Sequence, residues 1–228
     1  MSDLQLSDLV YKSRKHILEM ISDRGFDIKK LEQYNYEEIV LLLEQHKKGS
    51  FEVASNLSGL DIIVDNPTNK NKLVVKYRLD NKLKKVKSLI TQIDEIYEMY
   101  ELTKNDCLII MNIDIVLFKD DANKNANKAM ETYINELYNS GKYVQFYGLQ
   151  NFLFNVSKHI YVPKHSILGK SDANAIIESY NTKIENMPKI YREDPMAKYI
   201  GARPGDLVKI KGYIETSGFI DKYRLCVE

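Results

Sequence analysis

The two residues best spaced for catalysis are Asp61 and Lys76, which lie on consecutive predicted strands. Two carboxylates can hold Mg²⁺ and orient a water molecule for phosphodiester cleavage, while a nearby lysine stabilises the developing charge. The residues before Lys76 are the apolar Leu73-Val74-Val75, so the second carboxylate is missing from its expected position. Asp61 alone would bind a divalent ion weakly, and we predict neither a catalytic residue nor a metal site here.

Other catalytic motifs have no support in this sequence. The four histidines are scattered, and no HExxH or Cys/His cluster joins them. The two cysteines, Cys107 and Cys226, cannot form a disulfide framework or a four-ligand zinc site, so a reducing compartment fits best. No glycine-rich phosphate loop and no GxSxG nucleophile elbow occurs. We therefore predict no cofactor, no small-molecule substrate and no active site.

A group of lysines could instead contact phosphate. Four of them lie at the start of the third predicted helix, namely Lys82, Lys84, Lys85 and Lys87. Cations are unfavourable at a helix N-terminus, but a bound phosphate could use both the lysines and the free N–H groups there. The alternative is a solvated face beside the acidic residues of the same helix. A net charge of +1 excludes binding of nucleic acid by bulk charge, so any DNA contact would be local.

The elements that position these residues alternate between helix and strand in the first two thirds of the chain. Helical spacing begins at Ser7 and again near Asn35, where Glu38 completes a cap. Residues 60–64 and 72–77 predict a hairpin, and the segment 107–118, with its continuous apolar centre, predicts a strand buried on both faces. This order predicts an α/β N-terminal domain: a helix-covered sheet of nuclease-like topology without the active site.

The composition changes after about Val156. Four of the five prolines lie in the last third, and residues 156–228 contain 12 Lys and Arg against 9 Asp and Glu. The remainder has a net charge of −2. We predict two domains: residues 1–155 and a small α+β C-terminal domain, residues 156–228. No run of about 18 apolar residues and no signal-like N-terminus occurs, which disfavours membrane spanning and secretion.

The segment MPKIYREDPMAKYIGARPGDLVKIK, residues 187–211, predicts a helix–turn–strand corner. Asp194 can cap a short helix that has Pro195 at its first position, and Gly201 can end that helix in the left-handed conformation. The tetrapeptide Arg203-Pro204-Gly205-Asp206 then turns the chain into a strand. We expect this corner to expose Lys198 and Arg203.

The same region closely resembles the subunit 5/H family of multisubunit DNA-directed RNA polymerases. Five ordered blocks carry the likeness: VPKH (162–165), MPKI (187–190), DPMAKYIG (194–201), RPGDLVKI (203–210) and ETSG (215–218) followed by Tyr223-Arg224. The first helix with Asp23-Arg24-Gly25-Phe26 resembles the start of the longer, eukaryotic-type members; archaeal members have only the C-terminal module. The resemblance covers the whole chain, strongly after Val162 and more loosely between Gly49 and Tyr147.

The resemblance implies a non-catalytic polymerase subunit. Its C-terminal assembly domain would dock on the largest subunit, and its N-terminal jaw domain would lie near downstream DNA. The partner-binding residues would be Asp194, Pro195, Lys198, Tyr199, Arg203, Gly205, Lys209, Tyr223 and Arg224. Of these, Lys198, Arg203 and Arg224 would bind partner carboxylates or carbonyls. Tyr199 is either an anchor or a core residue, and Gly205 sets backbone geometry.

Two alternative functions stay open, and so does the choice between a cellular and a viral origin of the chain. The chain could be a stand-alone DNA-binding or degenerate nuclease-like protein, which its near-zero net charge disfavours, or a regulatory adaptor that borrows the fold. Abundant Lys, Asn and Tyr without Trp is typical of an AT-rich genome, including that of a large DNA virus with its own polymerase. A cellular member would work in the nucleus, and a viral one in host cytoplasm or the virion.

Overall fold

The computed structural model describes residues 3–29, 31, 34–48, 59–79, 86–113, 124–214, 216 and 218–228. Contacts along the backbone divide the chain into two compact units, Met1–Phe154 and Asn155–Glu228, called here the N-terminal unit and the C-terminal unit. Among the described residues, no helix combines the length and the apolar character that a bilayer span requires.

The N-terminal unit is built on a four-stranded sheet, sheet A, of order β1-β2-β3-β4. Strands β1 and β2 form the antiparallel hairpin that the sequence predicts, and β2, β3 and β4 are parallel. In chain order its elements are α1 (Asp3–Asp23), α2 (Tyr36–Lys48), β1 (Ile62–Asp65), β2 (Lys72–Arg78), α3 (Val86–Met99), β3 (Cys107–Asn112), α4 (Lys124–Asn139) and β4 (Val144–Gly148).

Helices cover both faces of sheet A. On one face, Leu108, Ile110 and Phe146 pack against α3 and α4. On the other, Arg24, which directly follows α1, donates from Nη2 to Oε1 of Gln145 on β4 at 2.8 Å. All six residues of β3 are buried in consequence, as predicted for this part of the segment 107–118, whose residues 114–118 lie outside the described residues.

The helix boundaries confirm one predicted cap and correct another. The Glu38 backbone N–H donates to Oδ1 of Asn35 at 2.9 Å, and the Asn35 N–H donates to a carboxylate oxygen of Glu38 at 2.7 Å, which is the predicted capping box. The predicted start of the first helix at Ser7 is wrong, because α1 begins at Asp3. Ser7 lies inside the helix and is buried.

The C-terminal unit contains a second four-stranded sheet, sheet B, of order β5-β7-β8-β6. Strand β7 is antiparallel to both β5 and β8, and β6 runs parallel to β8. The elements are β5 (Lys164–Ile167), α5 (Lys170–Ser179), β6 (Lys189–Tyr191), α6 (Pro195–Ile200), β7 (Leu207–Ile214) and β8 (Gly218–Val227). The mixture of sheets and helices in both units confirms a two-domain protein of mixed α/β architecture.

Each face of sheet B is covered by one short helix. Leu207 and Leu225 pack with Met187 and the apolar side of α5, and we call this side the α5 face. Val208, Ile210 and Cys226 pack with Ala197 and with Ala202, the second residue after α6, and we call this side the α6 face. Because side chains alternate along a strand, neighbouring residues of β7 or β8 belong to opposite faces.

Candidate protein–protein interface

The corner around α6 forms as the sequence predicts. Oδ1 of Asp194 accepts hydrogen bonds from the backbone N–H groups of Met196 at 2.9 Å and Ala197 at 3.2 Å, with Pro195 at the first helical position. Gly201 ends the helix with a φ of 75°. A capping carboxylate and a left-handed terminal glycine hold a six-residue helix that would be unstable alone.

The turn after α6 is tied to the end of β8. The Asp206 carboxylate accepts from the Arg203 N–H at 2.8 Å, and the Gly205 N–H donates to the carbonyl of Cys226 at 2.9 Å. Gly205 has a φ of 96°, yet no heavy atom lies within 4 Å of the position that a Cβ would take. The backbone conformation therefore requires glycine here, while the space above the turn stays open.

The corner exposes fewer charges than predicted. The Lys198 side chain is only 16% exposed, and its Nζ lies 3.1 Å from a carboxylate oxygen of Glu193, so the expected exposure of Lys198 is wrong. Arg203 is half-buried, whereas Pro195 and Gly205 are exposed. The Lys198 ammonium group thus has a partner within its own unit, Glu193, which lies just before the helix.

Tyr199 lies in the interior of the C-terminal unit, with 7% of its surface exposed. Of the two roles that the sequence leaves open, this position is that of a core residue. The nearby Tyr191 is 68% exposed, and its carbonyl accepts from the Asp194 N–H at 3.0 Å. Because Tyr191 pairs with Val227, its side chain lies on the α5 face. Sequence reasoning missed Tyr191; its place three residues before the cap was the available signal.

The remaining predicted contact residues lie on two different faces. Arg224 pairs with Val208, so it lies on the α6 face. Its side chain is exposed and donates from Nη1 to the carbonyl of Lys189 at 3.0 Å. Lys209 and Tyr223 lie on the α5 face, where the Tyr223 ring packs at 6.1 Å from that of Tyr180. The hydrogen bond from Lys209 to Asp221, at 2.7 Å, raises the pKa of the lysine. A single flat partner surface cannot contact all nine predicted residues.

In the N-terminal unit, Asp61 is bonded to a lysine. Its Oδ2 lies 2.6 Å from Nζ of Lys76, with side chains 2% and 12% exposed, and its Oδ1 accepts weakly from the Tyr77 N–H. In the part of the chain that the structure describes, no three His, Cys, Asp or Glu residues come together as metal ligands would. A lysine ammonium group thus occupies the side of Asp61 where a cation would bind.

The predicted phosphate-contacting lysines are mostly outside the described residues. Lys82, Lys84 and Lys85 precede the described part of α3, and Lys87 lies in its first turn, with its side chain undescribed. On the same helix, a carboxylate oxygen of Asp94 lies 2.5 Å from Nζ of Lys142. This acidic residue therefore has a partner from outside its own helix.

Neither cysteine of the chain offers an exposed nucleophile. Cys107 and Cys226 are both buried and reduced. Burial raises the pKa of the Cys226 thiol to about 11, and the nearby Asp206 carboxylate acts in the same direction. A neutral, enclosed thiol of this kind behaves as a small apolar side chain.

Similarity to known proteins follows the division into units. The family described as "RNA polymerase Rpb5, C-terminal domain" matches residues 154–226. DNA-directed RNA polymerase subunit Rpo5 of Methanocaldococcus jannaschii is 42% identical over 73 residues, 32% of this chain and 94% of the relative. Subunit Rpo5 of Archaeoglobus fulgidus is 43% identical over 74 residues, 32% of this chain and 97% of the relative.

One relative extends this similarity beyond the C-terminal unit. The rpabc1 subunit of DNA-directed RNA polymerases I, II and III of Dictyostelium discoideum is 28% identical over 215 residues. The alignment spans 94% of this chain and 95% of the relative, so both units have a counterpart there. Together with the archaeal matches and the capped corner, this shows that the chain belongs to the Rpo5/Rpb5 family of DNA-directed RNA polymerase subunits.

Proposed function

We propose that the chain is a non-catalytic subunit of a DNA-directed RNA polymerase and associates with other subunits through its C-terminal unit. The observation that carries this proposal is the match of residues 154–226 to the Rpb5 C-terminal domain. Archaeal relatives consist almost entirely of the matching part, which supports assembly as the role of this unit. The subunit contributes to transcription without an active site of its own.

The α6 corner is the proposed docking surface for the largest polymerase subunit. Pro195 and Gly205 are exposed on a backbone that hydrogen bonds hold in one conformation. A preformed surface loses little conformational entropy when a partner binds. Arg224 would add a charged contact to a partner carboxylate or carbonyl.

The other predicted contact residues have supporting or separate roles in this proposal. Asp194 and Tyr199 shape the corner from within, and Lys198 would have to exchange Glu193 for a partner carboxylate. Arg203 would use the part of its side chain that stays accessible. Lys209 and Tyr223 would contact a partner segment that reaches the α5 face.

The N-terminal unit is proposed as the jaw near downstream DNA, with Lys82, Lys84, Lys85 and Lys87 facing phosphates. A nuclease-like topology would serve there as a scaffold only, because the residues before Lys76 are the apolar Leu73-Val74-Val75 and Lys76 pairs with Asp61. In a cell the subunit would act in the nucleus. A viral homologue would act in host cytoplasm or the virion.

Co-purification tests the docking proposal. The tagged full-length chain, expressed in its native host, should recover the largest polymerase subunit. Arg224→Glu should lower that recovery at least tenfold, because bringing like charges together in an interface costs several kcal/mol and about 1.4 kcal/mol is already tenfold in affinity. Lys170→Glu, at the exposed first residue of α5, is the matched control and should leave recovery unchanged. A chain that recovers no polymerase subunit, or that cleaves DNA alone with Mg²⁺, overturns the proposal.

A further inference from the structure

Beyond the part that α5 covers, the α5 face continues onto the β7–β8 hairpin. Lys164 of β5 lies directly opposite Lys211 of β7, and Tyr213 lies opposite Phe219 of β8. Lys211 and Tyr213 follow Leu207 at even spacing along β7, and Lys164 and Phe219 pair with them across the sheet. All four therefore lie on the same face as Leu207. We call them the hairpin surface. All four are exposed, Tyr213 by 64% and Phe219 by 74%.

The two lysines of the hairpin surface have no carboxylate partner among the described residues. Like charges directly opposite each other in a sheet are destabilising, so this arrangement lowers the stability of the free unit. Asp221 faces Lys211 across the ladder, but its carboxylate is hydrogen-bonded to Lys209 at 2.7 Å. Nζ of Lys211 lies instead over the Phe219 ring, 5.7 Å from its centroid.

The aromatic pair lies where the sheet narrows to two strands. The Tyr213 and Phe219 rings meet edge to face at a centroid distance of 5.3 Å. Pairing of β7 with β5 ends at Lys164, directly after Pro163, which has no N–H to donate. In the described part of the chain, the hairpin from Gly212 onwards therefore has no third strand beside it. A two-stranded ribbon with exposed apolar side chains is stable only marginally by itself.

We propose that the hairpin surface binds an extended polypeptide segment in which acidic residues alternate with apolar ones. The carboxylates would neutralise Lys164 and Lys211, and the apolar side chains would cover Tyr213 and Phe219. The open edge of β7 favours an extended occupant, since a strand placed there presents alternate side chains to this face. The inference goes beyond the proposed function, because none of these four residues is among the contacts proposed there and the surface lies on the side of sheet B opposite the α6 corner.

A single-stranded nucleic acid suits this surface less well. Bases stack on the open faces of aromatic rings. Here Lys211 already covers one face of Phe219, and Tyr213 meets the ring edge to face. Carboxylates and aliphatic side chains need no stacking platform, so the charge and ring geometry together favour an acidic peptide.

Fluorescence anisotropy with the full-length protein tests the inference. The probe is a labelled peptide in which aspartate alternates with leucine, and the control peptide carries asparagine in place of aspartate. Lys211→Gln should weaken binding of the acidic probe about two- to fivefold, and Phe219→Ser about tenfold. Lys222→Gln is the matched control, because Lys222 is an exposed lysine of the same hairpin on the opposite face.

Three outcomes overturn the inference. Equal weakening by Lys211→Gln and Lys222→Gln would show attraction by net charge alone. Equal binding of the two peptides would remove the role of the lysines. Binding of oligothymidylate without binding of the acidic peptide would assign the surface to nucleic acid. Since the corner lies on the other face, this experiment and the co-purification experiment can fail independently.

Discussion

The two units of this chain cover their strands, and their apolar surface, to different extents. In the N-terminal unit every residue of β3 and β4 is buried, since helices cover both faces of sheet A. In the C-terminal unit no residue of β5 is fully buried. Among the residues that the structure describes, eight large apolar side chains are exposed in this 74-residue unit, against seven in the 154-residue N-terminal unit. The eight are Ile160, Tyr161, Ile167, Tyr180, Ile184, Tyr191, Tyr213 and Phe219.

The difference follows from strand direction and unit size. Parallel strands need crossover helices, and those helices cover the sheet as they return the chain. In the mainly antiparallel sheet B the neighbours β7 and β8 are joined by a short turn with no helix, and the 74-residue unit has two short helices to cover the sheet. A small unit that leaves aromatic residues in water is suited to binding another protein, which agrees with the archaeal relatives that match only about a third of the chain.

The largest expected effect comes from comparing a buried ion pair of the N-terminal unit with a more exposed ion pair of the C-terminal unit. Asp61→Asn should lower the free energy of unfolding of the N-terminal unit by about 3–5 kcal/mol, because the Lys76 ammonium group is left buried without its partner. Asp221→Asn in the C-terminal unit should cost far less, since water solvates Lys209. Urea unfolding followed by circular dichroism measures both. Similar losses would contradict the contrast, and Asp61→Leu combined with Lys76→Met should restore most of the stability.

Alkaline pH should weaken the C-terminal unit before the N-terminal one. Burial raises the pKa of Cys226 from 9.0 to about 11, so the unfolded chain loses this proton first. The contribution of this thiol to the free energy of unfolding is fully present below pH 9.0. It falls by at most about 2–3 kcal/mol as the pH rises to about 11. Burial raises the pKa of Tyr77 from 10.0 to about 12, which moves the corresponding loss in the N-terminal unit to higher pH.

The Cys226→Ala variant isolates the contribution of the thiol. Urea unfolding between pH 9.0 and 11 should show a shallower decline for the variant than for the unaltered chain. The slope is compared, because loss of the sulfur also lowers stability at every pH. Parallel declines would exclude Cys226 as the titrating group.

The two helix caps provide the smallest test. Asp194→Ala and Asn35→Ala should each cost about 1 kcal/mol, since each leaves helix N–H groups without an acceptor. Hydrogen exchange should show the loss in α6 for the first and in α2 for the second. Only Asp194→Ala should also lower recovery of polymerase subunits. An equal effect of Asn35→Ala on recovery would mean that the corner is not the docking surface.

Local features of the fold were predictable because their causes lie within a few residues. The Asn35–Glu38 capping box, the Asp194 cap and the left-handed Gly201 all formed as expected. The β1–β2 hairpin followed from two β-branched runs around a polar turn. Strands β5 and β6 were missed, because four and three residues are too few to show a period.

The direction of side chains was harder to predict. Tyr223 and Arg224 are consecutive in β8 and must face opposite sides, a signal that was present in the sequence. Which of the two shares a face with Lys209 depended on the register between β7 and β8, which pairs Lys209 with Tyr223. The enclosure of Lys198 depended on a carboxylate five residues earlier, at the other end of the helix.

The amino-acid sequence alone determined the caps, the turns, the buried central strand and the polymerase-subunit resemblance, since each depends on neighbouring residues or on ordered blocks. Only the tertiary structure decided that Asp61 pairs with Lys76, that Tyr199 is internal, and that the predicted contacts divide between two faces. Strand register and long-range packing set these outcomes. Both are chosen by the free energy of the whole unit and leave no local pattern.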